Sequence, residues 1–280
     1  MTTTMLIKND TEIRQFVPNA FATCEGEKSL FDKLQPYLNI AERWLSDNVV
    51  GKELLTTLAS TAEDDERKVV CCQIVAADAF QRAIPSLDLV LTPNGFGIVS
   101  NGNVAPASSE RVKTLSESLT ASRDELIHTL LLLLSKDADW RTSAQGMYFG
   151  ATLFPNLELV RLAGRTSDVW RNYQTLRQQI ISIEDELAER YISQAIYTRL
   201  RQHVLEDGVK PEELPLVRLL KQTELELVAG KQLNVPRLIS LVQRIREDEQ
   251  NFPEWKTSPT AELFSRQSFQ NEKHSGGYWW

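Results

Sequence analysis

Apolar residues recur through most of the chain at the three- and four-residue steps of an amphipathic helix. The longest series steps by 4, 3, 4, 3 and 4 residues and consists of Val169, Tyr173, Leu176, Ile180, Ile183 and Leu187. Composition agrees with this pattern, because 280 residues include 37 leucines but only 12 glycines and 11 prolines. We therefore expect a mainly α fold, assembled from helical-bundle modules.

A second series of the same kind begins after Ser29, and a shift of 142 residues superposes it on the first. The superposed pairs include Leu34 with Leu176, Glu42 with Glu184, Leu45 with Leu187, and Gly51 with Ser193. An internal duplication predicts that residues 29–58 and 173–200 each form a long helix, a break and a short helix. Two alternatives stay open: two unrelated amphipathic helices in phase would match by chance, and the second series could continue as one helix to Glu206.

The period changes near residues 87–99. Two short apolar runs, residues 87–91 and 96–99, flank the turn sequence Thr92-Pro93-Asn94-Gly95, which predicts a small β-hairpin. A two-stranded ribbon exposes unpaired backbone groups at its edges, so it must pack on its own helices or add to a neighbour. The interaction residues predicted on this hairpin are Leu89, Val90, Leu91 and Phe96.

These patterns predict three regions. Residues 1–150 form an N-terminal helical module with the hairpin, and residues 151–250 form a C-terminal module with the long helix. Residues 140–154 lose helical periodicity, so we expect a loop or a short strand pair there. Residues 251–280 form an aromatic-rich tail that either docks on a neighbour or packs on its own module, with the anchors Trp255, Phe264, Trp279 and Trp280.

Sequence motifs for chemistry are sparse. The three histidines, His128, His203 and His274, lie far apart and lack partners at metal-ligand spacing, so we expect no metal, cofactor or catalytic residue. Cys24, Cys71 and Cys72 are an odd count that we interpret as reduced thiols. A carboxylate enzyme assembled only by the fold remains the alternative to a non-enzymatic protein.

Charge and hydropathy restrict the partners. The formal net charge of −7 and the sequence pI near 5.2 argue against nucleic-acid readout. No apolar stretch approaches the length of a membrane span, and the first residues do not resemble a signal peptide, so we expect the bacterial cytoplasm as the site of folding.

Residues 88–99, DLVLTPNGFGIV, and residues 106–112, PASSERV, resemble the signature of an uncharacterised protein family found in Bacteroidetes genomes, prophages and phages. The resemblance covers most of residues 5–250. More loosely, a helix over 29–51, a helix over 69–84 and the hairpin are similar in order to the head-to-tail connector proteins of tailed phages, which form rings beneath the portal. Those connectors are about a third to a half as long, so an elaborated or duplicated version is implied.

The resemblance implies a non-enzymatic virion assembly protein, a head-to-tail connector or neck-ring subunit. The expected partners are further copies of the chain in a ring, together with portal or neck and tail proteins. The expected location is the bacterial cytoplasm during assembly and, for a phage-encoded protein, the virion. The alternative is a bacterial helical adaptor with no role in virions.

Overall fold

The computed structural model describes residues 6–16, 29–87, 89–92, 95–98 and 108–265, and the fold is mainly α, as the sequence predicts. The elements of the first half are α1 (Asp10–Phe16), α2 (Leu30–Leu45), a five-residue π turn (Ser46–Val50), α3 (Lys52–Ala59), α4 (Glu66–Ala83), a 3-10 turn (Ile84–Ser86), β1 (Leu89–Thr92), β2 (Gly95–Ile98), α5 (Ser109–Leu134), α6 (Ala138–Thr142) and α7 (Ala144–Phe149). The prediction of a loop or strand pair over 140–154 is wrong for α6 and α7, which were missed because each is too short to show a helical period.

The second half repeats this order, with a much shorter connection between its fourth and fifth helices. Its elements are α8 (Glu158–Leu162), α9 (Val169–Leu187), a second π turn (Ala188–Ile192), α10 (Gln194–Leu205), α11 (Leu214–Val228), α12 (Val235–Glu247), a 3-10 turn (Pro253–Trp255) and α13 (Pro259–Leu263). We call residues 6–150 the first repeat and residues 153–265 the second repeat.

The strongest evidence for the repeat is the break after each long helix. Both α2 and α9 run into a π turn, and the residue that follows has a positive φ, 89° at Gly51 and 101° at Ser193. A new helix then starts, α3 in one repeat and α10 in the other. The prediction of equal local structure over 29–58 and 173–200 is confirmed, and the alternative of one helix through Ser193 is wrong.

Each long helix also carries a buried glutamate at the same position. The Leu6 N–H donates to Glu42 Oε2 at 2.9 Å, and the Leu153 N–H donates to Glu184 Oε1 at 2.7 Å. In both repeats this hydrogen bond holds the N-terminal segment of the repeat against the long helix. A buried acceptor that satisfies a buried backbone donor offsets part of the cost of its own desolvation.

A short motif closes each repeat over its π turn. The pairs Trp140 with Trp255, Thr142 with Thr257, Ser143 with Ser258 and Phe149 with Phe264 share one offset of 115 residues. Ser143 and Ser258 make the same contacts, because each hydroxyl donates 2.7 Å to the carbonyl of the preceding tryptophan and caps the next helix. We call residues 139–149 and 254–264 the closing motifs.

The closing motifs satisfy carbonyl groups of the π turns. Trp140 Nε1 donates to the Val49 carbonyl at 2.9 Å, and the Thr260 hydroxyl donates to the Ala188 carbonyl at 3.1 Å. Trp140 and Trp255 are both buried. Residues 251–265 are therefore part of the second repeat, and the predicted boundary at residue 251 is wrong for them.

One element occurs in only one repeat. β1 and β2 pair antiparallel in register Leu89↔Ile98 to Thr92↔Gly95, and they lie between α4 and α5. The matching connection in the second repeat, between α11 and α12, has only residues 229–234. The duplicated body, as far as the structure describes it, therefore carries one β element.

Candidate functional site

The junction between the two repeats is built by the end of the first closing motif. Phe149 is fully buried and its ring stacks on Tyr173 of α9, with 5.8 Å between the centroids. The guanidinium of Arg177 lies 3.6 Å from the centroid of the Tyr148 ring, and Arg177 Nε donates 3.0 Å to the Tyr148 carbonyl. Tyr148 and Phe149 thus fix the first repeat on one face of α9.

Two further contacts extend the junction from α2 and α5. Trp44 meets Trp170 edge to face at 5.0 Å between centroids, and the guanidinium of Arg123 lies 5.5 Å from the centroid of the Trp44 ring. Burial raises the pKa of Asp124, and the charge of Arg123, 2.9 Å away, opposes that rise. Arg123 therefore links the buried Asp124 of α5 to the aromatic contact between the repeats.

Beside the junction lies a cleft of about 920 Å³ between α5 and the start of the second repeat. Its titratable side chains are Glu117, Asp124, Glu125, His128, Glu158, Arg161 and Asp168. Burial lowers the pKa of His128, and its Nδ1 finds no hydrogen-bond partner among the described residues. The cleft is predominantly acidic, with one arginine on its wall.

The second repeat also encloses a charged cluster. Arg201 Nε donates 2.6 Å to Glu184 Oε2, and the Tyr197 hydroxyl donates 3.2 Å to Glu224 Oε1. Burial raises the pKa of both carboxyl groups, that of Glu224 far more, and it lowers the pKa of Lys221 on the same helix as Glu224. Glu224 is therefore the acid in this cluster that favours its protonated form.

The cysteines of α4 do not form a reactive site. Cys71 and Cys72 are free and buried, and burial raises the pKa of Cys72 to about 12 and that of Cys71 even further. Because the thiolate is the reactive form, both thiols have low reactivity at neutral pH. Cys24 lies outside the described residues.

Across the described ranges, no three His, Cys, Asp or Glu side chains are grouped closely enough to hold a metal ion. Within the same ranges, no helix is both long and apolar enough to cross a membrane.

The structure separates the residues predicted to mediate interaction. Leu89, Val90, Leu91 and Phe96 all lie in β1 and β2, as the predicted hairpin requires. Trp255 is buried in the core of its own repeat, so the prediction that its ring anchors a neighbour is wrong. Phe264 packs on Trp255 and Tyr191 and stays partly exposed. Trp279 and Trp280 lie outside the described residues.

Tyr148 and Phe149, which make the junction, are not among the interaction residues that the sequence predicts. Both closing motifs share a sequence pattern: an acidic residue, Trp, a basic residue, Thr and Ser, followed by Phe. The pattern occurs at residues 139–149 and again at 254–264. The two copies of the pattern do not align at the 142-residue offset. They are 115 residues apart, because the first repeat contains the hairpin and a longer α5.

Comparison with known proteins bears on the first repeat. Residues 25–150 are similar to a family of unknown function, DUF6712. The matched region ends where the first repeat ends, after the first closing motif. Comparison with curated proteins and with solved structures finds no match.

Proposed function

We propose that this protein is a non-enzymatic virion assembly subunit of a phage or prophage, a head-to-tail connector or neck-ring component. The observation that carries the proposal is the hairpin. Within the described ranges β1 pairs only with β2, so the ribbon has an edge on each side that no strand of those ranges covers. Such edges add strands from a neighbouring molecule through backbone hydrogen bonds.

The surrounding helices make a suitable support for such a ribbon. α4 and α5, which flank it in the chain, pack closely on each other, and α4 also packs along α2. Buried polar contacts of the repeats, such as those of Glu42 and Glu184, hold the chain segments in place. A rigid body that presents one ribbon suits an assembly protein, whose partners are further copies, portal and neck or tail proteins.

The test is reconstitution with a portal protein encoded in the same genome, followed by negative-stain microscopy. We expect ring-shaped complexes on the portal. In a variant that replaces residues 89–98 with a Gly-Ser segment of equal length, we expect unchanged helical circular dichroism and at least tenfold weaker association with portal.

The matched control replaces residues 229–234, the hairpin-free connection of the second repeat, with Gly-Ser and should bind portal as the wild type does. Absence of any complex with portal contradicts the proposal. Stable capture of a host protein by the hairpin, without binding to portal, favours the helical adaptor instead.

A further inference from the structure

The C-terminal ends of the two closing motifs differ sharply in solvent exposure. In the first repeat Phe149 is fully buried and Tyr148 half-buried, because α9 of the second repeat covers them. At the matching positions of the second repeat, Leu263 is 68 % exposed and Phe264 is partly exposed. We call Tyr148 and Phe149 the plug of the first repeat, and Leu263 and Phe264 the plug of the second repeat. Helix α9 covers the first plug, but no described residue covers the second plug in the same way.

The helix beside the plug shows the same difference. The buried residues of α12, Leu238, Leu241, Val242 and Ile245, match in spacing those of α5, Ile127, Leu130, Leu131 and Leu134. This alignment places Val235 where α5 has Asp124 and Ile239 where it has His128. Asp124 is buried and lines the cleft together with His128, whereas Val235 and Ile239 are 38 % and 50 % exposed.

A surface that matches the other side of the junction exists on the first repeat. The 142-residue offset places Phe31 and Gln35 of α2 where α9 has Tyr173 and Arg177. Phe31 is partly buried against the core and Gln35 is exposed. The first repeat thus has an apolar ring and a polar neighbour at the positions that receive the plug on α9.

We propose that the face formed by Val235, Ile239, Leu263 and Phe264 binds the α2 face of the first repeat in a second copy of this chain. The contact reproduces between molecules the junction that joins the two repeats within one molecule. It uses different surfaces on the two partners, so it is head-to-tail, and repetition closes a ring or extends a filament. Its interpretation as the contact between ring subunits rests on the function proposed above, but the contact itself rests on the repeat.

Thiol cross-linking tests the identity of the two surfaces. Leu263 matches Tyr148 and Gln35 matches Arg177, a pair in direct contact at the junction. One preparation carries Leu263→Cys and the other Gln35→Cys, both with Cys24→Ser, and they are mixed with a short bismaleimide. We expect a cross-linked heterodimer, whereas Met147→Cys with Gln35→Cys should give none.

Met147 is a suitable control because it remains 61 % exposed although its neighbours Tyr148 and Phe149 are covered by α9. Its counterpart Glu262 is exposed too. Position 147 is therefore exposed and apolar but lies outside the contact.

Sedimentation velocity over a range of concentrations tests the energetics. We expect wild-type self-association to weaken at least tenfold in Leu263→Asp and in Ile239→Asp, and to stay unchanged in Met147→Asp. All three positions are exposed, so helical circular dichroism should not change. A wild type that stays monomeric at its solubility limit, or aspartate variants that associate like Met147→Asp, would overturn the inference.

The outcomes separate this inference from the proposed function. Specific cross-linking without portal binding retains the contact and refutes the connector role. The opposite result is that Leu263→Asp still forms normal rings on the portal and that positions 263 and 35 do not cross-link. This result would retain the connector role and refute the contact.

Discussion

The two repeats share a backbone but differ in how they neutralise the carboxylate buried on their fourth helix. Asp78 is fully buried in the first repeat and lies between Arg82 and Arg123, at 2.6 and 2.9 Å. Glu224 occupies the matching position of α11 when the buried Ile74 of α4 is aligned with Leu220. It receives only the Tyr197 hydroxyl, and its Oε2 has no partner among the described residues. The fold therefore specifies that an acid is buried at this position, and each repeat has its own means of accommodating that acid.

The largest expected effect concerns the end of the second repeat. This segment corresponds to α6 and α7, which close the first repeat. A chain that ends after Gln250 loses the buried residues Phe252 and Trp255, so we expect the second repeat to lose several kcal/mol or fail to fold. A chain that ends after Ser265 keeps the closing motif and should melt like the full chain. Thermal unfolding by circular dichroism distinguishes them; equal melting of both truncations would mean that the closing motif is dispensable.

The two closing tryptophans offer a direct comparison between repeats. Replacing Trp140 or Trp255 by alanine removes a buried indole, which costs about 3–5 kcal/mol. We expect Trp140→Ala to cost more by about 1 kcal/mol, because it also leaves the buried Val49 carbonyl without its donor. Urea unfolding measures both, with Met147→Ala as the exposed control; a smaller loss for Trp140→Ala would contradict the role of this hydrogen bond.

Glu224 gives the second repeat a pH dependence. Its pKa is raised by burial and by Glu184, while Tyr197, Lys221 and Arg201 oppose the rise. A carboxyl whose folded pKa exceeds its unfolded value binds its proton more tightly when folded, so stability falls as pH rises from about 4.5 towards the folded pKa, by up to about 1.4 kcal/mol per pH unit.

We therefore expect Glu224→Gln to be more stable than wild type at pH 8 and to lose this part of the pH dependence. Unfolding free energies measured between pH 5 and pH 8 test the expectation. Asp78→Asn is the matched variant, and it should destabilise, because it leaves Arg82 and Arg123 without their shared carboxylate. Parallel pH profiles for wild type and Glu224→Gln would show that Glu224 is ionised throughout.

The smallest expected effect is at the residue after each π turn. Ser193 has φ 101° and ψ 133°, a region that favours glycine, and its buried hydroxyl finds no partner among the described residues. We expect Ser193→Gly to stabilise the protein by about 1 kcal/mol.

Gly51→Ser, the reverse change in the first repeat, should destabilise it, because an added Cβ would lie 3.0 Å from Gln145 Oε1. The midpoints of urea unfolding give both values. Destabilisation by Ser193→Gly would show that the hydroxyl has a role that the contacts do not reveal.

The sequence predicts the parts of the fold that repeat with a regular period. The apolar series of α2 and α9 and the coincidence of Gly51 with Ser193 predict the break after each long helix, but the same apolar series also fits one helix that continues to Glu206. The closing motifs have no period and depend on long-range packing, so their role becomes visible only when Trp140 is found against Val49.

The candidate site was harder to predict for a physical reason. Trp255 and Trp140 look alike in the sequence, as aromatic residues in irregular segments, and whether such a ring is a core or a docking residue depends on which helix lies beneath it. Exposure at Leu263 and Ile239 is likewise a property of the assembled repeat.

The single hairpin has a consequence for symmetry. In a ring of n chains joined head to tail, the helical bodies number 2n, but the ribbons of the described chain number n and occur at every second body. At low resolution such a ring would show twice the rotational order in its helical wall that it shows at the surface that carries the ribbons. A partner that binds the wall and one that binds the ribbons would therefore encounter different symmetries on the same particle.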